Sequence, residues 1–376
     1  MSQVIISSPL NCFLVDYGVY WDCNLACKYC RKQPTRSADP NLARASIDKY
    51  VDGLDIVSLW VDAIMFKTSG WGEVTLVDGY KSLFKRAAEL GFEILQLITN
   101  GLELPPNNGL IKLMELGHFS LQLSLDGSTQ YHNAYRFGSS KVTLNRVLYN
   151  LERCLSLGVP IEINSVLTVL NTSNFHVFLE YLLQLKDTFS AEIMCAPRPV
   201  RVKKTLGNID QLPGSDAIDA FERNVVERYD YFQPVLPARE YIEGVMTHLR
   251  GNNRPWMTFD AITRINIGAH GEVIIHTATG NLCLGNIFVD NPYQVFLERR
   301  RWHNLEGDVD YQRKLTQFDI HYLYFGGIIS TAEMARVPSC ANPVAQARLR
   351  QLRSKVFDAM GNSGDTSMDR IDIITC

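Results

Sequence analysis

The sequence predicts an α/β protein built on a parallel sheet. Short β-prone runs alternate with amphipathic stretches from about residue 60 to about residue 200. Alternation of this kind argues for βαβ crossovers, which place successive strands parallel in one sheet. Three of the amphipathic stretches end in a Leu-Gly pair immediately before the next strand: Leu90-Gly91, Leu116-Gly117 and Leu157-Gly158. Glycine suits the first position past a helix, where a positive φ costs it little.

In chain order, 12–20 is apolar and aromatic and reads as a strand that ends just before a cysteine-rich loop. A polar stretch with Pro34 and Pro40 follows, then a helix over 41–59, with Ser46 as a possible cap inside it. Strands are expected over 63–67, 92–98, 119–125, 161–169 and from 191, with helices over 78–90, 108–116, 141–157 and 173–186 between them. Residues 197–213 form a polar, proline-bearing connector. Helices are expected over 215–229 and 238–250, a hairpin over 263–277 turning at Ala269–Gly271, and helices near 292–301 and 341–360. The units are therefore 1–200, a helical connector 201–260, a small α+β region 261–360 and a flexible tail 361–376.

With 376 residues the chain has room for about two domains. Its 46% of apolar residues can fill a sizeable core, and its 20% of charged residues exclude a disordered chain. The net charge of −3, with Lys and Arg dispersed, gives no reason to expect nucleic acid or an anionic membrane as partner. No apolar run approaches the ~20 residues of a membrane span, and the N-terminus lacks the pattern of a signal peptide. A cytoplasmic location is expected. Cys12, Cys154, Cys195, Cys283, Cys340 and Cys376 are scattered, which in a cytoplasmic chain reads as core thiols sooner than disulfides.

Cys23, Cys27 and Cys30 are not scattered. They stand in a C-x-x-x-C-x-x-C pattern within one tight loop. A closed tetrahedral zinc site wants four protein ligands, and no fourth Cys or His lies in the loop. Three thiolates suit a four-iron, four-sulfur cluster with one iron left open. In a parallel α/β protein, chemistry gathers at the C-terminal strand ends, and each later end carries its own group. After the second strand come Gly70, Gly72 and Glu73, where backbone can approach a ligand and one carboxylate can meet a cation. After the third comes Thr99-Asn100-Gly101. After the fourth come Ser124 and Asp126, then His132 and Arg136, suited to hydroxyl and carboxylate partners. The fifth carries Asn164 and Ser165 in an apolar run; the sixth carries Cys195, Arg198 and Arg201, a cationic mouth for an anionic substrate or cofactor group or, equally, solvated arginines.

The cysteine pattern, followed in order by these groups, resembles the radical S-adenosylmethionine (SAM) superfamily, in particular its peptide- and natural-product-modifying branch. The resemblance covers about 20–200 and implies a partial (βα)6 TIM-like barrel. It implies one [4Fe–4S] cluster on Cys23, Cys27 and Cys30, with SAM on the open iron. Tyr29 would lie near the adenine, and Gly70, Gly72 and Glu73 at the SAM amino group. Asn100 would occupy the family's Thr-Asn-Gly turn. Ser124 would take the ribose, Arg136 the SAM carboxylate, and Asp126 either ribose or substrate. Asn164 and Ser165 would contact ribose or methionine, and His132 would be structural. Val74 stands where the family often has Pro.

Gly271 to His276 and Gly280 to Phe288 resemble part of the family's SPASM or twitch extension, but His276 stands where its cysteine should be and the later cysteine-dense block is missing. The expected appendage is thus a SPASM/twitch-like scaffold without auxiliary clusters. Cys283 and Cys195 are the candidates for a thiol that returns a hydrogen atom to a substrate radical. The cysteine loop begins at Cys23, leaving no room before it for a peptide-recognition domain, which tilts the substrate towards a small molecule, with a peptide as the other option. The expected activity is reductive SAM cleavage and hydrogen abstraction, leading to epimerisation, oxidation, crosslinking or rearrangement. An external electron donor such as flavodoxin or ferredoxin would serve it. The alternative is a non-catalytic binding module with a structural zinc or iron–sulfur site.

Overall fold

Nine strands join in one sheet, and the first six run parallel in chain order. In the computed structural model the described residues are 10–18, 23–30, 47–58, 61–69, 72–138, 140–200, 209–250, 264–268, 271–277 and 280–288. The strands are β1 Leu10–Gly18, β2 Val61–Ser69, β3 Ile94–Thr99, β4 His118–Ser124, β5 Ile161–Leu167, β6 Ile193–Pro199, β7 Arg264–Ile267, β8 Glu272–Thr277 and β9 Gly280–Asn286. Their order in the sheet is β6-β5-β4-β3-β2-β1-β7-β8-β9. The helices are α1 Ile47–Ser58, α2 Lys81–Glu89, α3 Asn107–Met114, α4 Ala134–Phe137, α5 Lys141–Ser156, α6 Phe175–Phe189, α7 Ser215–Phe221, α8 Tyr229–Phe232 and α9 Arg239–Leu249.

Alternation along the strands separates two faces. Val15, Tyr17, Phe66, Leu95, Leu97, Leu121, Leu123, Ile161, Ile163 and Ile193 share one core with Leu54, Phe84, Leu110, Leu151 and Phe178 of the helices. Phe84 of α2 meets Phe66 and Phe119 edge-on, at centroid separations of 5.5 and 5.9 Å. Each such fully buried ring contributes roughly 1.5–3 kcal/mol, so this face carries most of the fold's stability. The other face is polar. Gln96 of β3 donates to Glu162 of β5 at 3.2 Å, reaching past the intervening β4. Lys67 of β2 feels Glu162 and also Arg198 of β6. Side chains separated by several strands can meet only on a concave face, so the six strands curve around a lumen, as in a partial TIM-like barrel.

The helix ends follow expectation at two of three places. Gly91 and Gly158 adopt φ of +92° and +74°. Gly117 is not among the positive-φ glycines; a Cβ there would stand 3.2 Å from the Glu93 carbonyl, so close approach is its reason. Ser140 caps α5, accepting from the Thr143 amide at 3.2 Å.

The predicted hairpin forms between β7 and β8, but it does not stand apart. β7 pairs parallel with β1, Leu14 opposite Arg264, and β8 and β9 continue the same sheet. Tyr50 of α1 packs edge-on against Phe288 just past β9 at 5.3 Å. The opposite edge, β6, is covered in part by the segment between α8 and α9, where the Cys195 amide donates to the Val235 carbonyl at 2.7 Å. The helices expected near 292–301 and 341–360, the tail 361–376, and Cys340 and Cys376 lie outside the described residues, as do Gly70 and Arg201. None of the helices among the described residues is long and apolar enough to cross a membrane.

Candidate active site

The cysteine loop follows β1 and is held from two sides. Leu25 anchors it in the core. On one side, Asn100 of the turn after β3 donates through Nδ2 to Asn24 Oδ1 at 2.6 Å and lies 3.7 Å from Cys23 Sγ. On the other, the Lys28 amide donates to the Tyr135 carbonyl of α4 at 2.8 Å. The Lys28 ammonium sits 5.2 Å from the centre of the Tyr135 ring. Within the loop the Cys30 amide donates to the Cys27 carbonyl at 3.0 Å, which turns the chain between the second and third thiols.

All three cysteines are free and half-buried. Burial pushes the Cys27 thiol up to about 11; Arg136 works against that rise, while Asp126, Cys30 and Cys23 add to it. The three thiols thus lie within electrostatic reach of one another. Among the described residues no three Cys, His, Asp or Glu side chains converge tightly enough to hold a single metal ion. A [4Fe–4S] cube makes a different demand. Each thiolate meets a different iron, so the donors must surround a body wider than one ion. Three free thiols spread around a pinned loop suit that cube, and they do not suit a closed zinc site.

Asp126 is the hub beside this loop. Arg136 donates to it through Nη2 at 2.8 Å and Nε at 3.2 Å, the Val166 amide donates at 2.9 Å, and the Tyr29 hydroxyl donates to Oδ2. The Arg136 guanidinium also stacks 5.4 Å from the centre of the Tyr29 ring. Burial holds the Tyr29 hydroxyl well above its ordinary value, so it stays a donor. Asn133 shapes the turn: its Oδ1 accepts from the Asp126 amide at 2.9 Å and its Nδ2 donates to Gly127 and Thr129 carbonyls.

In this geometry several of the residues expected to meet SAM are engaged with other protein groups. Arg136, expected at the SAM carboxylate, is 7% exposed and engages Asp126 in a bidentate pair. Asp126, expected at ribose or substrate, is taken up by that pair and by Tyr29 and Val166. Tyr29, expected against the adenine, spends its hydroxyl on Asp126 and its ring on Arg136. Glu73, expected at the SAM amino group, is 2% exposed. Its Oε1 accepts from Thr75 Oγ1 at 2.7 Å and Thr99 Oγ1 at 2.8 Å, and its Oε2 from the Asn100 amide at 2.7 Å. Glu73 thus ties the turn after β2 to the turn after β3, and burial raises its pKa despite those bonds. Ser165 donates to the Leu125 carbonyl and Cys195 lies 3.7 Å from it, both buried on the helix-facing side of the sheet. Cys195 is therefore turned away from the lumen. Cys283 sits in β9 opposite Ile274 in register; its side chain is outside the described residues. His132 is buried beside Gly127, in keeping with a structural part.

Ser124 and Asn164 do face the lumen. They are neighbours in register, half-buried, and Asn164 Oδ1 is a buried acceptor without a protein donor. Gly72 is half-buried at the same end. Below them lies a floor that a residue-by-residue search for ligands overlooks: Lys67, Gln96, Ser120, Gln122 and Glu162, each at most 3% exposed. Both oxygens of Glu162 accept from amides, one from Gln96 and one from Gln122. The signal was present in the strands as polar residues at every second position, where a sheet buried on both faces normally reads as continuously apolar.

Burial pulls Lys67 from 10.5 down to about 7, against the upward pull of Glu162. Its charge is therefore a load on the folded state. As pH falls from about 10.5 to about 7, the unfolded lysine takes up a proton that the folded one refuses, so stability is lost across that window and the loss is constant below it. Lys67→Met removes the load. The variant's stability relative to wild type should rise across that window, by up to about 5 kcal/mol at 1.36 kcal/mol per pKa unit. Denaturant midpoints at pH 7 and 9.5 check this; a pH-independent difference contradicts it.

Comparison with known proteins matches this picture. Residues 20–185 match a family profile described as the radical SAM superfamily. A probable GTP 3′,8-cyclase of Methanothermobacter thermautotrophicus is 29% identical over 155 residues, which are 41% of this chain and 47% of that protein. The match thus spans about half of the curated relative. Among solved structures, anSMEcpe with bound AdoMet aligns over 98% of both chains with a TM-score of 0.55 and 17% identity. Streptococcus suis SuiB bound to S-adenosylmethionine aligns over 76% of this chain and 62% of its own, with a TM-score of 0.50 and 15% identity. At these identities the two structures speak for the fold. Residues 20–185 are thus those of a radical SAM domain, the domain of a family whose cofactors are a [4Fe–4S] cluster and S-adenosylmethionine.

Proposed function

We propose that this chain is a radical SAM enzyme that abstracts a hydrogen atom from a small molecule or peptide bound in the barrel lumen. The observation that carries the reading is the three-thiol loop clamped at the lumen's mouth by the turns after β3 and β4. Bound together, a [4Fe–4S] cluster and SAM would supply one-electron chemistry for hydrogen abstraction, which the chain would position and shield. Cys23, Cys27 and Cys30 hold the cluster. Gly72, Ser124 and Asn164 offer backbone and polar side chains for SAM, and Asn164 Oδ1 has an acceptor to give. Glu73, Asp126 and Arg136 act one step back, fixing the three turns so that the mouth keeps its shape.

Peptide substrates are supported by the relatives: SuiB was solved bound to precursor peptide SuiA, and anSMEcpe with Cp18Cys peptide. The curated relative's nucleotide substrate supports the small-molecule option. An external reductant such as a flavodoxin or ferredoxin delivers the electron. Anaerobic reconstitution tests the reading. The expected result is a brown protein with about four irons per chain that forms 5′-deoxyadenosine from SAM and dithionite. A colourless zinc protein without SAM cleavage overturns it.

A further inference from the structure

We propose that Asn100 tunes the cluster that the cysteine loop holds, by donating a hydrogen bond to the Cys23 thiolate; this rests on the function proposed above. Asn100 is in this reading a positioning residue, acting on the cluster through Cys23. Its carboxamide has one orientation. Oδ1 accepts from the Leu102 amide at 3.0 Å, which turns Nδ2 towards the loop. The two protons of Nδ2 then have separate partners. One is Asn24 Oδ1 at 2.6 Å; the other is Cys23 Sγ at 3.7 Å, a distance that suits the larger sulfur atom. The backbone is fixed as well. The Asn100 amide donates to Glu73 Oε2 at 2.7 Å, and Gly101, with φ of +79°, turns the chain directly after it. Asn100 is 6% exposed, so little water competes for its donor and the bond to sulfur gains strength.

The other two thiols are treated differently. Among the described residues Asn100 is the one side chain that donates to a sulfur of the loop. Cys27 feels Arg136, but the Asp126 carboxylate paired with that guanidinium offsets it. The Tyr29 hydroxyl, between the second and third cysteines, is spent on Asp126. Reduction of a [4Fe–4S] cluster adds one electron from an external reductant, and so one negative charge on the cluster and its thiolates. A hydrogen bond to a thiolate stabilises the more negative state more, which raises the reduction potential. Cys23 is therefore the ligand at which this chain eases the one-electron reduction that SAM cleavage requires.

The test is the midpoint potential of the anaerobically reconstituted protein without SAM. It is titrated with dithionite and followed by the electron paramagnetic resonance of the reduced cluster. Asn100→Leu removes the donor without adding charge. Asn100→Asp keeps an acceptor for the Leu102 amide and puts an anion in place of the donor. The expected result for Asn100→Leu is an equilibrium for reduction about tenfold less favourable, a fall of about 59 mV for a one-electron couple. Asn100→Asp falls further. Asn24→Ala removes the neighbouring clamp but leaves the bond to Cys23, so its potential stays at the wild-type value. Iron content and unfolding midpoint establish that each variant is folded and loaded. An unchanged potential in Asn100→Leu, an equal fall in Asn24→Ala, or loss of the cluster from both Asn100 variants overturns the inference and leaves Asn100 only the part of holding the loop. A wild-type protein that takes up no [4Fe–4S] cluster overturns the proposed function with it, whereas unchanged potentials in a loaded protein leave that function standing.

Discussion

Cys27→Ala abolishes SAM cleavage and leaves the fold standing. The Cys27 carbonyl, not its thiol, closes the turn to Cys30, so the loop keeps its backbone bond when the side chain is cut back. Its anchors, Leu25 in the core, Asn24 on Asn100 and Lys28 on Tyr135, are also untouched. What is lost is one of three thiolates, and the loop holds no fourth cysteine to replace it. Changes to groups that merely support a metal ligand typically cost 10–100-fold in affinity or activity; loss of the ligand itself exceeds that. The expected readouts are iron well below the wild-type content and no detectable 5′-deoxyadenosine. Cys154→Ala is the control. Cys154 is fully buried in the α5 core, and burial pushes its thiol up to about 12, so it is inert. That variant loses about 1–3 kcal/mol of stability and keeps its cluster. A Cys27→Ala protein that still cleaves SAM would remove the three-cysteine loop from the proposal.

What the sequence disclosed and what it concealed divide along a physical line. Helix stops, strand order and the cysteine pattern are local, and each was legible: β2 to β6 and their helices fall within a few residues of expectation. The orientation of a side chain across a curved sheet is not local. Cys195 and Arg198 are three residues apart on one strand, so alternation sends them to opposite faces. The register that assigns the lumen to Arg198 comes from contacts with β5 and β2, whose pairing no single strand reveals. The same holds for β7, whose partner β1 lies some 250 residues earlier.

Protein partners were less legible than positions. Glu73, Asp126 and Arg136 all stand at the mouth where the motifs place them, yet each is bound to protein. A carboxylate after a strand invites a ligand in one dimension; in three, the Asn100 amide and two threonine hydroxyls reach Glu73. Ser124 and Asn164 sit in register on adjacent strands, and Asn164 Oδ1 is a buried acceptor without a protein donor.

Asp126→Asn is the sharpest probe of that arrangement. Asp126 and Arg136 are 1% and 7% exposed, so neither charge has water to fall back on. Burial alone would weaken Arg136 as a base, but Asp126 first, then Tyr29 and Cys27, outweigh it and raise its pKa. Asparagine keeps the size of the side chain while removing the charge, and it turns an N–H group towards donors of Arg136, Tyr29 or Val166. A buried guanidinium left without its counter-charge costs about 3–5 kcal/mol, a large part of the 5–15 kcal/mol that holds a domain folded. The unfolding midpoint should fall accordingly. Arg136→Met in the same background removes the stranded charge, so the double variant should be more stable than Asp126→Asn alone. That non-additivity identifies the pair as the source of the loss. SAM cleavage should fall in both variants, because Tyr29 loses its anchor and the cysteine loop loses one of its two clamps. If Asp126→Asn unfolds like wild type, or if the two losses simply add, Asp126 is not the hub and the loop is held by Asn100 and by the Lys28 amide on Tyr135.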